Sequence, residues 1–270
     1  MLAKMRRLLV PMACVGSLFW IARGMTGQVE QPLWSIFVLP YAHFWYLQAT
    51  FLIMVAFILL AWLTGGRGYL AAAVLACVGV AGWLLMPRPA VDVFSMAGAM
   101  RLSPFFAAGY LSARGRVWSR SREREVQQRR TGAVMLGLLL CCAMALATGA
   151  VILPAPWRSF AALGIGLGSC HALLMLRPSS TRMAWLGRRS YAIYLFHVFF
   201  TAGLHDMLLM VVPGLDPAIL WPFGVVVGLA GPALLQDAIL RRHTLSVLLL
   251  GLPLRRHQGR AVPSGIGQTG

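Results

Sequence analysis

Between Leu8 and Leu240 the sequence returns again and again to apolar runs of about twenty residues, and arginines crowd every second gap between them. Nothing else in the chain constrains its fold so strongly. A helix needs about 20 mostly apolar residues to cross the hydrocarbon core of a bilayer, since each residue adds about 1.5 Å of rise. Eight segments qualify, at about 8–22, 41–63, 68–86, 91–111, 131–153, 159–176, 190–212 and 219–240. With the N-terminus placed in the cytoplasm, the inner segments hold Lys4, Arg6 and Arg7, then Arg67, then seven arginines from Arg114 to Arg130. They continue with Arg177, Arg182, Arg188 and Arg189, and finish with Arg241, Arg242, Arg255, Arg256 and Arg260. The outer segments hold only Arg23, Arg88 and Arg158. One span too many or too few would move every later loop to the wrong side, so the alternation supports the count. The expected fold class is all-α integral membrane: a polytopic bundle of about eight transmembrane helices with both termini inside.

Composition agrees. Hydrophobic residues make up 59% of the chain and charged residues 11%, whereas a soluble domain carries about a quarter charged. The net charge of +17 would suit nucleic acid in a soluble protein. In a polytopic one it marks the inner loops, and nucleic acid is not an expected partner. The basic connection 112–130 reads either as an orientation signal resting on anionic headgroups or as an attractor for an anionic cytosolic ligand. The five cysteines lie inside apolar runs without metal-ligand spacing and read as small buried hydrophobes, with no metal site indicated. The apolar stretch that follows the basic N-terminal residues reads as a first spanning helix rather than a signal peptide. A membrane domain over residues 1–256 and a flexible cytoplasmic tail over 257–270 are expected, with the short apolar segment 244–254 lying at the interface.

Ionisable residues within spans are functional candidates, because the bilayer makes them costly. Here they are His43, Arg101, His171, His197, His205, Asp206 and Asp237. His43 opens the second span at its outer edge, where it reads equally as an interfacial residue beside Trp45 and Tyr46 or as a site residue. Arg101, near the middle of its span, needs either an acid partner, with Asp237 and Asp206 available, or a functional anion. His171 reads as a structural histidine. In the stretch GRRSYAIYLFHVFF, Ser190, Tyr194 and His197 recur at helical spacing on one face, with Tyr191 rotated by about 100°. Ser190 is placed to cap the helix start. The stripe lines either a cavity or a polar seam between helices.

This stretch, WLGRRSYAIYLFH, resembles the late-helix signature of the membrane acyltransferase 3 family. HFWYLQATFLI, SPFFAAGYLSARGR and KMRRLLVP resemble three further family elements, so the resemblance covers most of the chain. It implies transfer of an acyl group, commonly acetyl from acetyl-CoA, to hydroxyls of cell-surface or exported carbohydrate, in a bacterial cytoplasmic (inner) membrane. Acyl-CoA would be a donor substrate, with no bound cofactor. The family's basic pair corresponds to Lys4 and Arg7, and its late signature to Gly187, Arg188, Ser190, Tyr191, Tyr194 and His197. By this resemblance the chain is expected to begin at the family's third helix, leaving no counterpart for the histidine that the family carries in its first.

Acyl transfer to a hydroxyl needs a base and a donor for the tetrahedral oxyanion. His197 and His43 are the candidate bases and Arg101 the candidate for the developing charge. His43 near the outer face and His197 a third to a half of the way in from the inner face would lie too far apart to cooperate. Lys4, Arg7, Arg188, Ser190, Tyr191 and Tyr194 are the candidate donor-binding residues. The alternative expectation is an inactive short family member or a non-enzymatic transport or partner protein. The acyl group, the acceptor and the oligomeric state are not specified by the sequence.

Overall fold

The structure, a computed structural model, describes residues 2–27, 31–85, 91–115, 122–178, 180–214 and 216–253. Ten α-helices succeed one another among these residues, with no strand. They are α1 (Leu2–Met25), α2 (Ser35–Val38), α3 (Trp45–Leu63), α4 (Gly68–Leu85), α5 (Met96–Arg114), α6 (Arg122–Ala147), α7 (Ala155–Leu176), α8 (Thr181–Val211), α9 (Pro217–Leu240) and α10 (His243–Leu250). A 3₁₀ turn over Val93–Ser95 leads into α5. The chain is a polytopic helical membrane protein.

Seven of these helices are long and apolar enough to cross a membrane, against the eight expected. The missing one is α5, whose apolar run is interrupted by Arg101, Ser103 and Pro104. Its packing nevertheless follows α4 from end to end. A Cβ at Gly68 would strike the Tyr110 hydroxyl, one at Gly79 would strike Ser103 and Pro104, and one at Gly82 would strike Met100. The two helices therefore run antiparallel in close contact, and α5 covers the depth that α4 covers. Apolar content understates α5 because neighbouring helices cover much of its polar face.

Two helix starts differ from expectation for one reason. α8 begins at Thr181, not at Ser190, and α6 begins at Arg122, so the arginines from 122 to 130 and from 182 to 189 are helical rather than loop. Arginine is a good helix former, and nothing in its charge ends a helix once the chain has left the apolar layer. On α6 an Arg129–Glu125 pair at 2.8 Å adds i,i+4 support. Ser190 consequently sits inside α8 and donates to the Gly187 carbonyl at 2.9 Å instead of capping the helix. The short α10 packs along α1, with Gly251 against the Arg6 and Arg7 backbone. The tail 257–270 lies outside the described residues.

The main core forms where α1, the α2–α3 connection and α8 meet. Met12, Val15 and Phe19 of α1 face Ala192, Leu195 and Phe196 of α8, with Ile36, Tyr41, Phe44 and Leu47 between them. Both helices present these residues at spacings of three and four, one buried stripe each. The connection itself folds back into the bundle. Ile36 rests 3.6 Å from where a Cβ on Gly16 would lie, and nine residues of α1 separate that level from Met25, about 13 Å along the axis. Irregular backbone at such depth must be enclosed by protein with its polar groups satisfied. Trp20 donates from Nε1 to the Gln31 carbonyl at 2.8 Å, and Gln48 donates from Nε2 to the Ile36 carbonyl at 3.0 Å and the Leu39 carbonyl at 3.3 Å.

Candidate functional site

The fold-back brings His43 to α8. Its ring lies 5.0 Å from that of His197 and 5.5 Å from that of Tyr194, centroid to centroid. Nε2–H of His43 donates to the Leu195 carbonyl at 3.3 Å, and the Tyr194 hydroxyl donates to the His43 carbonyl. The expected separation of the two histidines is thus overturned. His43 does not stand at the outer edge of a span; it meets α8 near Leu195, about midway between Thr181 and Val211. The apolar pattern starts the second span at about residue 41, whereas α3 starts at Trp45 and the preceding stretch dips inward.

The two imidazoles are held differently. His197 uses Nδ1–H to reach the carbonyls of Ile193 and Tyr194, at 3.0 and 2.9 Å, one turn back on its own helix. This fixes the tautomer, and no described residue bonds its Nε2. The His43 ring is walled by aromatic groups, with Phe44 at 4.0 Å and Phe19 at 6.0 Å between centroids, and its Nδ1 is buried without a partner.

Two cavities meet at this seam, and Ser190 and Tyr194 line both. The smaller, about 660 Å³, lies between α1, α3 and α8 and is bounded by Arg7, Leu8, Tyr46, Thr50 and Tyr191 among others. The larger, about 790 Å³, opens between α8 and α9; His197, Thr201 and His205 stand on its α8 wall and Leu220, Trp221 and Val225 on its α9 wall. The helical stripe of Ser190, Tyr194 and His197 therefore faces cavity. Tyr191, one residue round the helix, points at α1: its hydroxyl donates to the Arg7 carbonyl, and the Arg7 guanidinium stands 5.5 Å over its ring.

The other candidates fall elsewhere. Arg101 lines neither cavity, and its carbonyl accepts from Trp83 Nε1 at 2.8 Å. Of the two acids available to it, one is engaged by another arginine: Asp237 of α9 holds Arg189 through both carboxylate oxygens, at 2.8 and 2.9 Å, while Arg189 stacks 4.2 Å over Trp185. Arg188 is exposed and lines neither cavity. Lys4 lies in α1, but its side chain is outside the described residues. His171 is exposed on α7 beside a small cavity of about 130 Å³ shared with Gln128 and Arg177. His205, at the α8 wall of the larger cavity, and Asp206 contact each other at 3.3 Å with both side chains exposed. The cysteines Cys77, Cys141, Cys142 and Cys170 are exposed rather than buried, and Cys14 is half-buried.

Reading by residue type missed Tyr46, Thr50 and Thr201 as cavity-lining groups, and Gln48 and Ser95 as buried polar groups. Gln48 carried a signal: an amide in the second turn of a span is a cost that lipid exposure would not justify.

A helical bundle whose seam brings two histidines together, His197 on the wall of the larger cavity and His43 behind it on neither, defines an integral membrane protein with a polar interior centre. The comparison with known families identifies which kind. The acyltransferase 3 family, described as an acyltransferase domain, matches residues 1–237, most of the chain, and the protein belongs to that family. No curated protein and no solved structure matches the chain.

Proposed function

We propose that the protein is a membrane O-acyltransferase that moves an acyl group, acetyl foremost, from acyl-CoA to a hydroxyl of a cell-surface or exported carbohydrate, in a bacterial cytoplasmic membrane. The observation that carries this reading is the state of His197. Its Nδ1–H is committed to main-chain carbonyls, which leaves Nε2 as a lone-pair nitrogen on a ring that lines the larger cavity. A neutral imidazole oriented in this way is suited to take a hydroxyl proton near neutral pH. In the proposed step, Nε2 accepts the proton as the alcohol oxygen attacks the thioester carbonyl. The tetrahedral intermediate then expels CoA thiolate, which recovers that proton, and the products are the ester and free CoA. With Arg101 away from both cavities, the oxyanion would take its hydrogen bonds from hydroxyls on the cavity walls: that of Tyr46, or those of Ser190 and Thr201 once turned from the Gly187 and Val198 carbonyls to which they donate.

The donor would occupy the smaller cavity, with its phosphates at the end lined by Arg7 and its acyl thioester reaching past Tyr191 and Ser190 to Tyr194. The acceptor would enter the larger cavity. The test is transfer of radiolabelled acetyl from acetyl-CoA to membrane glycans by the purified, reconstituted protein, together with its thermal midpoint with and without acetyl-CoA. A ligand bound only by the folded state raises that midpoint. The reading expects protection by acetyl-CoA and label in carbohydrate, with transfer lost in His197→Ala. A well-folded sample showing neither protection nor transfer would overturn it in favour of an inactive family member.

A further inference from the structure

Gln48 stands in the second turn of α3 and is 5% exposed. Its amide is fully committed: Nε2 donates to the carbonyls of Ile36 and Leu39, and Oε1 accepts from Ser95 Oγ at 2.5 Å. Ser95 is 0% exposed and ends the 3₁₀ turn before α5. The two carbonyls belong to the stretch that carries the chain down to His43. Of the four non-glycine residues with positive φ among those described, three flank this network: Ala42 at 44°, Phe94 at 53° and Ser95 at 55°. Such backbone persists only where the surroundings over-determine it. An apolar side chain of similar volume would fill the same space without burying an amide. What the amide adds is direction, since it ties two particular carbonyls to one serine.

We propose that Gln48, held in turn by Ser95, is a positioning residue for His43: it pins the fold-back so that the His43 ring meets Leu195 and His197. His43 cannot set its own orientation well. Its Nδ1 is unpartnered, and its single side-chain hydrogen bond, to Leu195, is 3.3 Å long. The ring therefore inherits its place from the main chain on either side, which Gln48 fixes upstream and Tyr194 fixes at the His43 carbonyl. The catalytic importance of that placement rests on the acyltransferase reading above.

The experiment compares wild type with Gln48→Met, Gln48→Glu and Ser95→Ala in the full chain reconstituted in nanodiscs. Gln48→Met is expected to lower kcat for acetyl transfer at least about tenfold while KM for acetyl-CoA stays within about twofold, because misplacing a reacting group costs rate rather than donor affinity. Gln48→Glu keeps an acceptor for Ser95 and, when protonated, one donor, so its kcat relative to wild type at the same pH should recover as pH is lowered. Ser95→Ala is milder and keeps the proposal testable if the methionine variant folds poorly. A merely structural role would lower the yield of folded protein and leave kcat per folded molecule unchanged; that result overturns the proposal, as does a loss confined to KM. The second readout needs no activity. Carbethoxylation of His43, followed by mass spectrometry, should run at least about fivefold faster in Gln48→Met once the segment is released, with exposed His205 as the unchanged control. An unchanged His43 rate would refute the positioning role even if transfer is observed. A faster one would sustain it even if wild type transfers nothing and the acyltransferase reading falls.

Discussion

α6 and α7 are about as apolar as α1 and α3, yet the two pairs bury different shares of their apolar side chains. In α1 and α3, 28% and 22% of the spanning window is buried inside the protein; in α6 and α7 the figures are 6% and 11%. Leu138, Leu140 and Met144 of α6 are turned outward, and so are Cys141, Cys142 and Cys170. Met12, Val15 and Phe19 of α1 and Leu47 of α3 are turned inward, and the polar groups Gln48 and His43 come with them. In a bilayer, lipid is as good a solvent for leucine as another helix is, so hydropathy locates the membrane and says nothing of the inside. What separates the two regions is where buried polar groups must be satisfied. The seam built on α1, α3 and α8 has them, and the α6–α7 pair is largely a lipid-facing flank.

The comparison can be broken at four points, of decreasing size. Removing the base should matter only in the seam: His197→Ala is expected to reduce acetyl transfer by about two to four orders of magnitude, the usual contribution of general-base catalysis. His171→Ala on α7 should leave the rate within about twofold, since an exposed side chain away from the site has little to lose. A comparable loss in both would erase the distinction. Packing should differ in the same direction. Leu195→Ala, at a fully buried position, should cost about 2 kcal/mol or more through the cavity it leaves. Leu138→Ala, 63% exposed, should fall within about 0.5 kcal/mol. Thermal midpoints in one detergent would decide, and equal shifts would contradict the burial pattern.

The pair between Arg189 and Asp237, which ties α8 to α9, should be worth less. Asp237 is 45% exposed, so solvent screens it, and a double-mutant cycle with Arg189→Met and Asp237→Asn should give a coupling of about 1 kcal/mol or below. The smallest effect is topographic. A lipophilic maleimide should modify Cys141, Cys142 and Cys170 ahead of half-buried Cys14, with peptide mapping as the readout; early labelling of Cys14 would mean the α1 face is open.

Much of the architecture was legible because the signals were local. Apolar runs gave the helices, and the arginine-rich gaps separated them. α5 needed both signals together, since its own composition falls short of a span. The start of α8 is not legible from charge, because Arg182, Arg188 and Arg189 continue the helix beyond the apolar run. At the site, the stripe of Ser190, Tyr194 and His197 followed from helical periodicity alone, and the resemblance drew the eye to the same residues. The depth of His43 did not follow. It depends on a connection that turns inward after α1, and that turn is stabilised by contacts from far along the chain: Trp20 on Gln31, Ser95 on Gln48, and Gly16 beneath Ile36. No pattern within 31–44 announces them. For the same reason the sequence leaves Asp237 and Asp206 both available to Arg101, whereas Asp206 contacts His205 and Asp237 is claimed by Arg189 across a packing that sequence order does not display.

The meeting of His43 and His197 inside the seam is the claim on which the rest depends, and cysteine cross-linking tests it most directly. With the native cysteines replaced by alanine, the His43→Cys/His197→Cys variant is treated in native membranes with a short bis-methanethiosulfonate and the linked peptides are identified by mass spectrometry. The account predicts a high yield of the intramolecular link between residues 43 and 197, with little labelling of residue 43 by a membrane-impermeant maleimide. No link, together with ready impermeant labelling of residue 43, would place His43 at the outer surface and contradict the account.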